Sequence, residues 1–285
     1  MAVTTPLVRA ASRTNVRAQR SLGEIGSFLV FSYQVLYHAF FDVILKLKFR
    51  KVVVAHISDI VVGAGALVIG GGMVFVIFAM ALFTGATVGV QAFNGLSQIG
   101  AESFTGLVGS FANTREITPI IAAIALAAQV GASFTAEIGA MRISDEIDAL
   151  EVMGIPSHVY LVSTRIVAML LALIPLYLLA LFSSFFATKL VTVQLFGLSP
   201  GIYDYYFNLY LPPIDIFFSL MKVIIYAVMI TLIHSYFGYF ATGGPAGVGR
   251  AVGTAIRTSI ISVVVVNLLL SYLFWGGSTT VSLTG

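Results

Sequence analysis

Two groups of charged residues stand out in a chain that is 59% hydrophobic and only 9% charged. The first lies in AEIGAMRISDEIDALEVMG, residues 136–154, which carries Glu137, Asp145, Glu146, Asp148 and Glu151, five of the twelve acidic residues. The second is Arg115-Glu116, with Lys222 and His234 as further ionisable residues inside apolar runs. Carboxylates gathered on one short segment suit docking onto a basic partner, because charge complementarity sets specificity and register. A guanidinium at membrane depth suits contact with a carboxylate or phosphate, since ionisable groups there are costly and usually functional. Neither group sets a nucleophile beside a base at a spacing that supports covalent catalysis.

Composition narrows the chemistry further. There is no cysteine, and His38, His56, His158 and His234 are scattered, so thiolate sites are excluded and no metal site is expected. The formal net charge is +3, but the bases do not cluster among stacking aromatics in a polar domain, which sets nucleic acid aside. Mean hydropathy is strongly positive. Uncharged or nearly uncharged runs at 60–83, 117–136, 166–188, 216–241 and 258–275 approach the roughly 20 residues needed to cross about 30 Å of hydrocarbon. The expectation is an all-α integral membrane protein with five transmembrane helices in one domain, 52–285.

Charge then sets orientation. Arg9, Arg13, Arg17, Arg20, Lys46, Lys48, Arg50 and Lys51 precede the first run, which places that end in the cytoplasm by the positive-inside rule. With five spans, Arg142, Arg165, Arg250 and Arg257 also face inward and the C-terminus is extracytoplasmic. Residues 24–45 form an apolar helix with four bases on each side, so both ends favour the cytoplasmic face. It is read as an interfacial helix within a basic region, 1–51; a sixth span is the alternative. No secretory signal or processing is expected there.

The acidic stretch therefore falls on a cytoplasmic connection between the second and third spans. Ser144 is expected to cap a helix whose first turn holds Asp145 and Glu146, with Gly154 and Pro156 ending it. Ile143, Ile147 and Leu150 recur at helical spacing, opposite Asp145 and Asp148. GGPAGVGR, 243–250, reads as a tight turn with Arg250 near headgroups or a partner. Gly63, Gly65, Gly70, Gly71 and Gly72 allow close helix approach or bending in the first span. Residues 84–113, glycine-rich with Glu102, read as extracytoplasmic or half-buried helices, and 193–213 as an aromatic belt. Lys222 is expected to pair with Asp215 or reach the outer surface, and Asp59 and His56 to lie at the inner boundary.

The acidic stretch closely resembles the segment after the second span in the MlaE/YrbE family of ABC-transporter permeases, most closely the actinobacterial YrbE subunits of Mce lipid-transport systems. The resemblance runs over 49–275 and includes FRK at 49–51, REITP at 115–119 and GGPAGVGRA at 243–251. It implies an MlaE-like permease fold in the plasma membrane, and lipid or fatty-acid transport, with import the expected direction. Its implied partners are a second YrbE-like permease in a heterodimer, a cytoplasmic ATPase dimer and extracytoplasmic MCE-domain proteins. No cofactor is expected in this chain; ATP and magnesium would be bound by the ATPase, since the chain has no G-x-x-x-x-G-K-[ST] loop and is not expected to be an enzyme on its own.

In this reading residues 142–154 are the coupling helix. Glu137, Met141, Arg142, Asp145, Glu146, Ile147, Asp148, Leu150, Glu151 and Met153 transmit ATP-driven closure. Arg115 meets an anionic headgroup, with Glu116 orienting it or serving as counter-ion. Val74, Phe75, Phe78, Met80 and Phe83 line the acyl-chain path. Gln129 and Asn267 depart from the family pattern, where arginine and an acidic residue are frequent, as one member of an unequal pair would. The alternatives are a proton-coupled secondary transporter using Asp59, Glu116, Lys222 and His234, and a lipid-modifying enzyme with Glu116 or His234 as base.

Overall fold

The computed structural model describes residue 23 and residues 25–63 and 72–276. Arg9, Arg13, Arg17 and Arg20, and Gly65, Gly70 and Gly71, lie outside the described residues. Nine helical segments are used below: α1 (Ile25–Leu45), α2 (Arg50–Val61), α3 (Gly72–Ser97), α4 (Glu102–Ile143), α5 (Glu146–Val152), α6 (Val159–Leu195), α7 (Pro200–Leu209), α8 (Pro213–Tyr239) and α9 (Gly244–Trp275). Six of them, α1, α3, α4, α6, α8 and α9, are long and apolar enough to cross a membrane.

The core forms where α3 packs along α6 and where α8 packs between α4 and α9. Small residues permit the close contacts. At Gly238 a Cβ would sit 3.0 Å from the Thr135 carbonyl oxygen and 3.1 Å from Ile138 Cβ, so only glycine lets α8 approach α4 this closely. α4 and α8 run parallel, because Arg115 meets Lys222 near one end and Thr135 meets His234 near the other. α9 runs antiparallel to α8, pairing Ser271 with Lys222 and Asn267 with Tyr226.

α1 does not follow the bundle. Its 21 residues extend about 30 Å, and it meets α8 and α6 in the thirds of those helices that lie toward α5. Phe31 lies among Tyr236, Tyr239 and Phe240 at the end of α8. Ser163, in the first turn of α6, donates to the Val35 carbonyl oxygen at 2.9 Å, and Val43 and Ile44 share a cavity with Val167 and Leu170. These contacts match the interfacial placement expected from the flanking bases, and by length and composition α1 is also one of the six candidate spans.

Several boundaries differ from those read in the sequence. The first apolar run is divided between α2 and α3, and α3 continues through 84–97 instead of ending at 83. Residues 102–143 make one continuous helical run, widened into π turns at Asn113–Ile117 and Ala127–Gly131. Glu102 and the glycines after it therefore begin the second span. The turn before α9 is short, with Gly243 and Gly244 at positive φ, and the rest of the glycine-rich motif is helical.

Candidate functional site: a buried charge network and an acidic helix at opposite ends

The charged end is built from α4, α8 and α9. Arg115 Nε donates to Asp215 Oδ2 at 2.7 Å, and a second guanidinium nitrogen lies 2.7 Å from the same oxygen. The guanidinium stacks over Phe111 at 3.6 Å and faces Trp275 at 5.1 Å, while Trp275 Nε1 donates to Asp215 Oδ1 at 2.9 Å. Arg115 is only 5% exposed and Asp215 is 1% exposed. A pair so enclosed persists because each charge is hydrogen-bonded as well as paired.

Lys222 forms the second layer, about 14 Å along α8 from Pro213. Its ammonium donates to the Arg115 carbonyl oxygen at 2.6 Å and to Ser271 Oγ at 2.8 Å, and lies 3.3 Å from Glu116 Oε1. Glu116 accepts from Ser271 at 2.6 Å and from Asn267 Nδ2 at 2.7 Å; Tyr226 donates to Asn267 Oδ1. The four charges balance. Lys222 is wholly buried, whereas the Glu116 side chain is 41% exposed, so Glu116 is the member open to a ligand.

Three expectations are corrected here. Arg115 and Glu116 do not serve each other, because adjacent helical side chains point apart; they go to Asp215 and Lys222. Arg115 is enclosed, so it is not placed to greet a headgroup at the surface. Lys222 neither pairs with Asp215 nor reaches out. Asn267 bridges Tyr226 and Glu116, accepting from one and donating to the other, so an amide serves where an acidic residue was the family expectation.

The proposed apolar path is divided by helical geometry. Phe75 and Phe83 are 61% and 70% exposed on the outer face of α3, while Val74 and Met80 pack against the core and Phe78 is half-buried. These five residues therefore do not line one wall within this chain.

At the other end, α5 projects from the bundle. Asp145 takes a left-handed conformation (φ 60°), which interrupts the helical run between α4 and α5. Ser144 consequently does not cap α5. Its hydroxyl donates back to Ala140 O at 3.0 Å and lies 2.9 Å from Glu146 Oε1. Ile143, left on α4, does not share a face with Ile147 and is partly exposed, whereas Ile147 is wholly buried. The helix end was legible: Gly154 takes φ 74° and donates to the Glu151 carbonyl, and Pro156 follows.

The coupling set separates into bracing and exposed members. Glu137 lies on α4 and accepts from Arg165 of α6 at 2.9 Å and from Ser133. Arg142 pairs with Asp148 at 2.8 Å. Met141 and Leu150 pack on the core with Ile147. Asp145, Glu146, Val152 and Met153 form the exposed tip, Val152 at 89%. Sequence reasoning missed Ser157 and Tyr239, which bond to Glu151, and Arg165, whose place in the second turn of a span signals a need for a counter-ion. Beside the tip, burial first and then the neighbouring His38 hold the His158 imidazole below its ordinary pKa; the rings are 5.3 Å apart.

Asp59, Glu116, Lys222 and His234 do not converge. Glu116 and Lys222 meet, but His234 lies twelve residues further along α8 beside Thr135, and Asp59 is on α2.

Six helices long and apolar enough to cross a membrane, around a buried charge network, are those of an integral membrane protein. Residues 28–273 match the family described as Permease MlaE, and the chain belongs to that family. It is 30% identical over 269 residues to a Probable ABC transporter permease protein of Rickettsia bellii, covering 94% of this chain and 99% of that one. It is 33% identical over 204 residues to a protein of the same description from Synechocystis sp., covering 70% and 78%. It is also 29% identical over 196 residues to Protein TRIGALACTOSYLDIACYLGLYCEROL 1, chloroplastic, of Arabidopsis thaliana, covering 69% and 56%.

Proposed function

We propose that this chain is the permease subunit of an Mce-type ABC transporter that imports lipids or fatty acids across the plasma membrane. One observation carries the reading: α8 bears Asp215 and Lys222 of a balanced, buried charge network at one end and holds the acidic helix α5 at the other. A permease needs such a connection between a nucleotide-driven dock and a substrate path. The ABC permease descriptions of the relatives support it, and the Arabidopsis relative's name, which contains that of a glycolipid, supports the lipid cargo.

The end bearing α5 is cytoplasmic in this proposal. Lys46, Lys48, Arg50, Lys51, Arg142, Arg165 and Arg250 gather there, whereas Arg115, Lys189 and Lys222 lie toward the other end. A separate ATPase dimer binds ATP and magnesium and docks on the exposed tip of α5. A second, YrbE-like permease completes the membrane unit, and MCE-domain proteins continue the path outside. Glu116, the accessible member of the charge network, is an acceptor and faces hydroxyl or ammonium donors of a headgroup, in place of the anionic contact expected of Arg115, and Phe75 and Phe83 face acyl chains or the second permease. The YrbE subtype rests on the RISDEIDALEVMG motif.

The test is purification of the tagged chain from its native membrane in gentle detergent, followed by mass spectrometry of subunits and bound lipid. Recovery of an ATPase, a second permease and MCE proteins is expected. Exchange of Asp145 and Glu146 for lysine should release the ATPase; normal retention by that variant would refute the docking assignment. Recovery of this chain alone, active in proteoliposomes without ATP, would favour a secondary transporter instead.

A further inference from the structure

Three side chains join the acidic helix to the end of α8, away from the exposed tip of α5. Glu151 is the last acidic residue of α5, Ser157 lies just after Pro156, and Tyr239 is the final residue of α8. Ser157 Oγ donates to Glu151 Oε1 at 2.7 Å and lies 2.8 Å from Tyr239 Oη, which is 3.3 Å from the same carboxylate oxygen. Counting protons orders the chain. The Ser157 proton is given to Glu151, so Ser157 accepts from Tyr239, and the longer Tyr239 to Glu151 contact is secondary. Ser157 is fully buried, so water does not compete for it.

This arrangement is the hydrogen-bonded link between α5 and α8. The covalent neighbours of α5 are α4 and α6, so movement of α5 reaches α8 through contacts alone. Gly238, adjacent to Tyr239, lies tightly against Thr135 of α4, and Phe31 of α1 covers the Tyr239 and Phe240 rings. From Tyr239 the helix runs 27 residues, about 40 Å, to the turn bearing Asp215.

We infer that Glu151, Ser157 and Tyr239 form a relay that passes displacement of α5 to α8, and so to the charge network at the far end. The three act as positioning residues. The inference rests on the permease reading and assigns α8 as the helix that the dock drives.

The test uses the intact complex, with spin labels attached to this cysteine-free chain before assembly with its partners. Labels at Phe217→Cys on α8 and Leu178→Cys on α6, both exposed positions, report movement of α8 against its neighbour. With the unsubstituted relay, ATP should shift the distance between them. Tyr239→Phe removes one oxygen; it should retain the ATPase and its hydrolysis while losing that shift. Glu151→Gln keeps the acceptor oxygen and should restore the shift that Glu151→Ala abolishes. Ser157→Ala, which interrupts the relay from a different element, should behave as Tyr239→Phe does and decides the matter if that variant fails to fold. A full ATP-dependent shift in Tyr239→Phe or Ser157→Ala overturns the relay. Failure of the labelled chain with an intact relay to bring down any ATPase overturns the permease reading itself, a distinguishable result.

Discussion

Lys222 donates to the backbone carbonyl of Arg115, not to a carboxylate, as its shortest contact, at 2.6 Å. The lysine therefore ties α8 to the α4 backbone within the π turn Asn113–Ile117, and its contact with Glu116 is longer, at 3.3 Å. Exchange of Lys222 for methionine should leave that carbonyl without its donor and Glu116 without its nearby cation. In the proposed transporter, ATP-driven lipid transfer should fall at least tenfold, while Glu116 keeps its bonds from Ser271 and Asn267. Transfer assayed in proteoliposomes checks this.

Asp215→Ala should be strongly destabilising because it leaves the enclosed Arg115 guanidinium without its carboxylate. Breaking a buried pair in this way costs about 3–5 kcal/mol. A double Arg115→Met, Asp215→Leu exchange should recover much of the loss. Thermal unfolding in detergent micelles distinguishes the two variants.

Gly238→Ala should lower stability by about 1–3 kcal/mol, the usual cost of overpacking. The added methyl group would sit 3.0 Å from the Thr135 carbonyl oxygen. The unfolding midpoint should fall without loss of helical signal.

Phe31→Ala should loosen α1, since this buried ring contacts Tyr236, Tyr239 and Phe240. Buried Phe→Ala exchanges cost about 3–5 kcal/mol. Faster hydrogen exchange across α1, with slow exchange retained in α4 and α8, is the expected result.

Acidification should weaken the seat of α1 against α6. His158 has a pKa below the ordinary imidazole value of 6.5, from burial and from His38 beside it, so the folded chain binds fewer protons here than the unfolded chain. Stability from this site is present above that ordinary value and is lost as pH falls through it toward the lowered folded value. His158→Gln should flatten the dependence, read as unfolding midpoint against pH.

The spans were legible because their composition leaves few other structures open to them. The need for charge pairing was also legible, since Lys222 stands in an otherwise apolar run. Its actual partners were not, because Arg115 lies more than a hundred positions away and contributes a backbone atom that side-chain identity does not reveal. The acidic helix was found, with its stop at Gly154. Its start was misplaced because a serine before two acids has the signature of a cap, and local sequence does not show that Asp145 adopts a left-handed turn. Phe75 and Phe83 were grouped with Val74 and Met80 by hydrophobicity; helical phase, set by what α3 packs against, separates them.

The parallel seam between α4 and α8 limits how these helices slip. Thr114 O receives Ser219, Arg115 O receives Lys222, and Thr135 meets His234 further down, all from the same two helices. Lengthwise shear by one turn, about 5 Å, would break all three at once, and buried polar groups are costly to strand. The seam therefore resists sliding of α8 along α4 and leaves tilt and rotation as the motions open to α8.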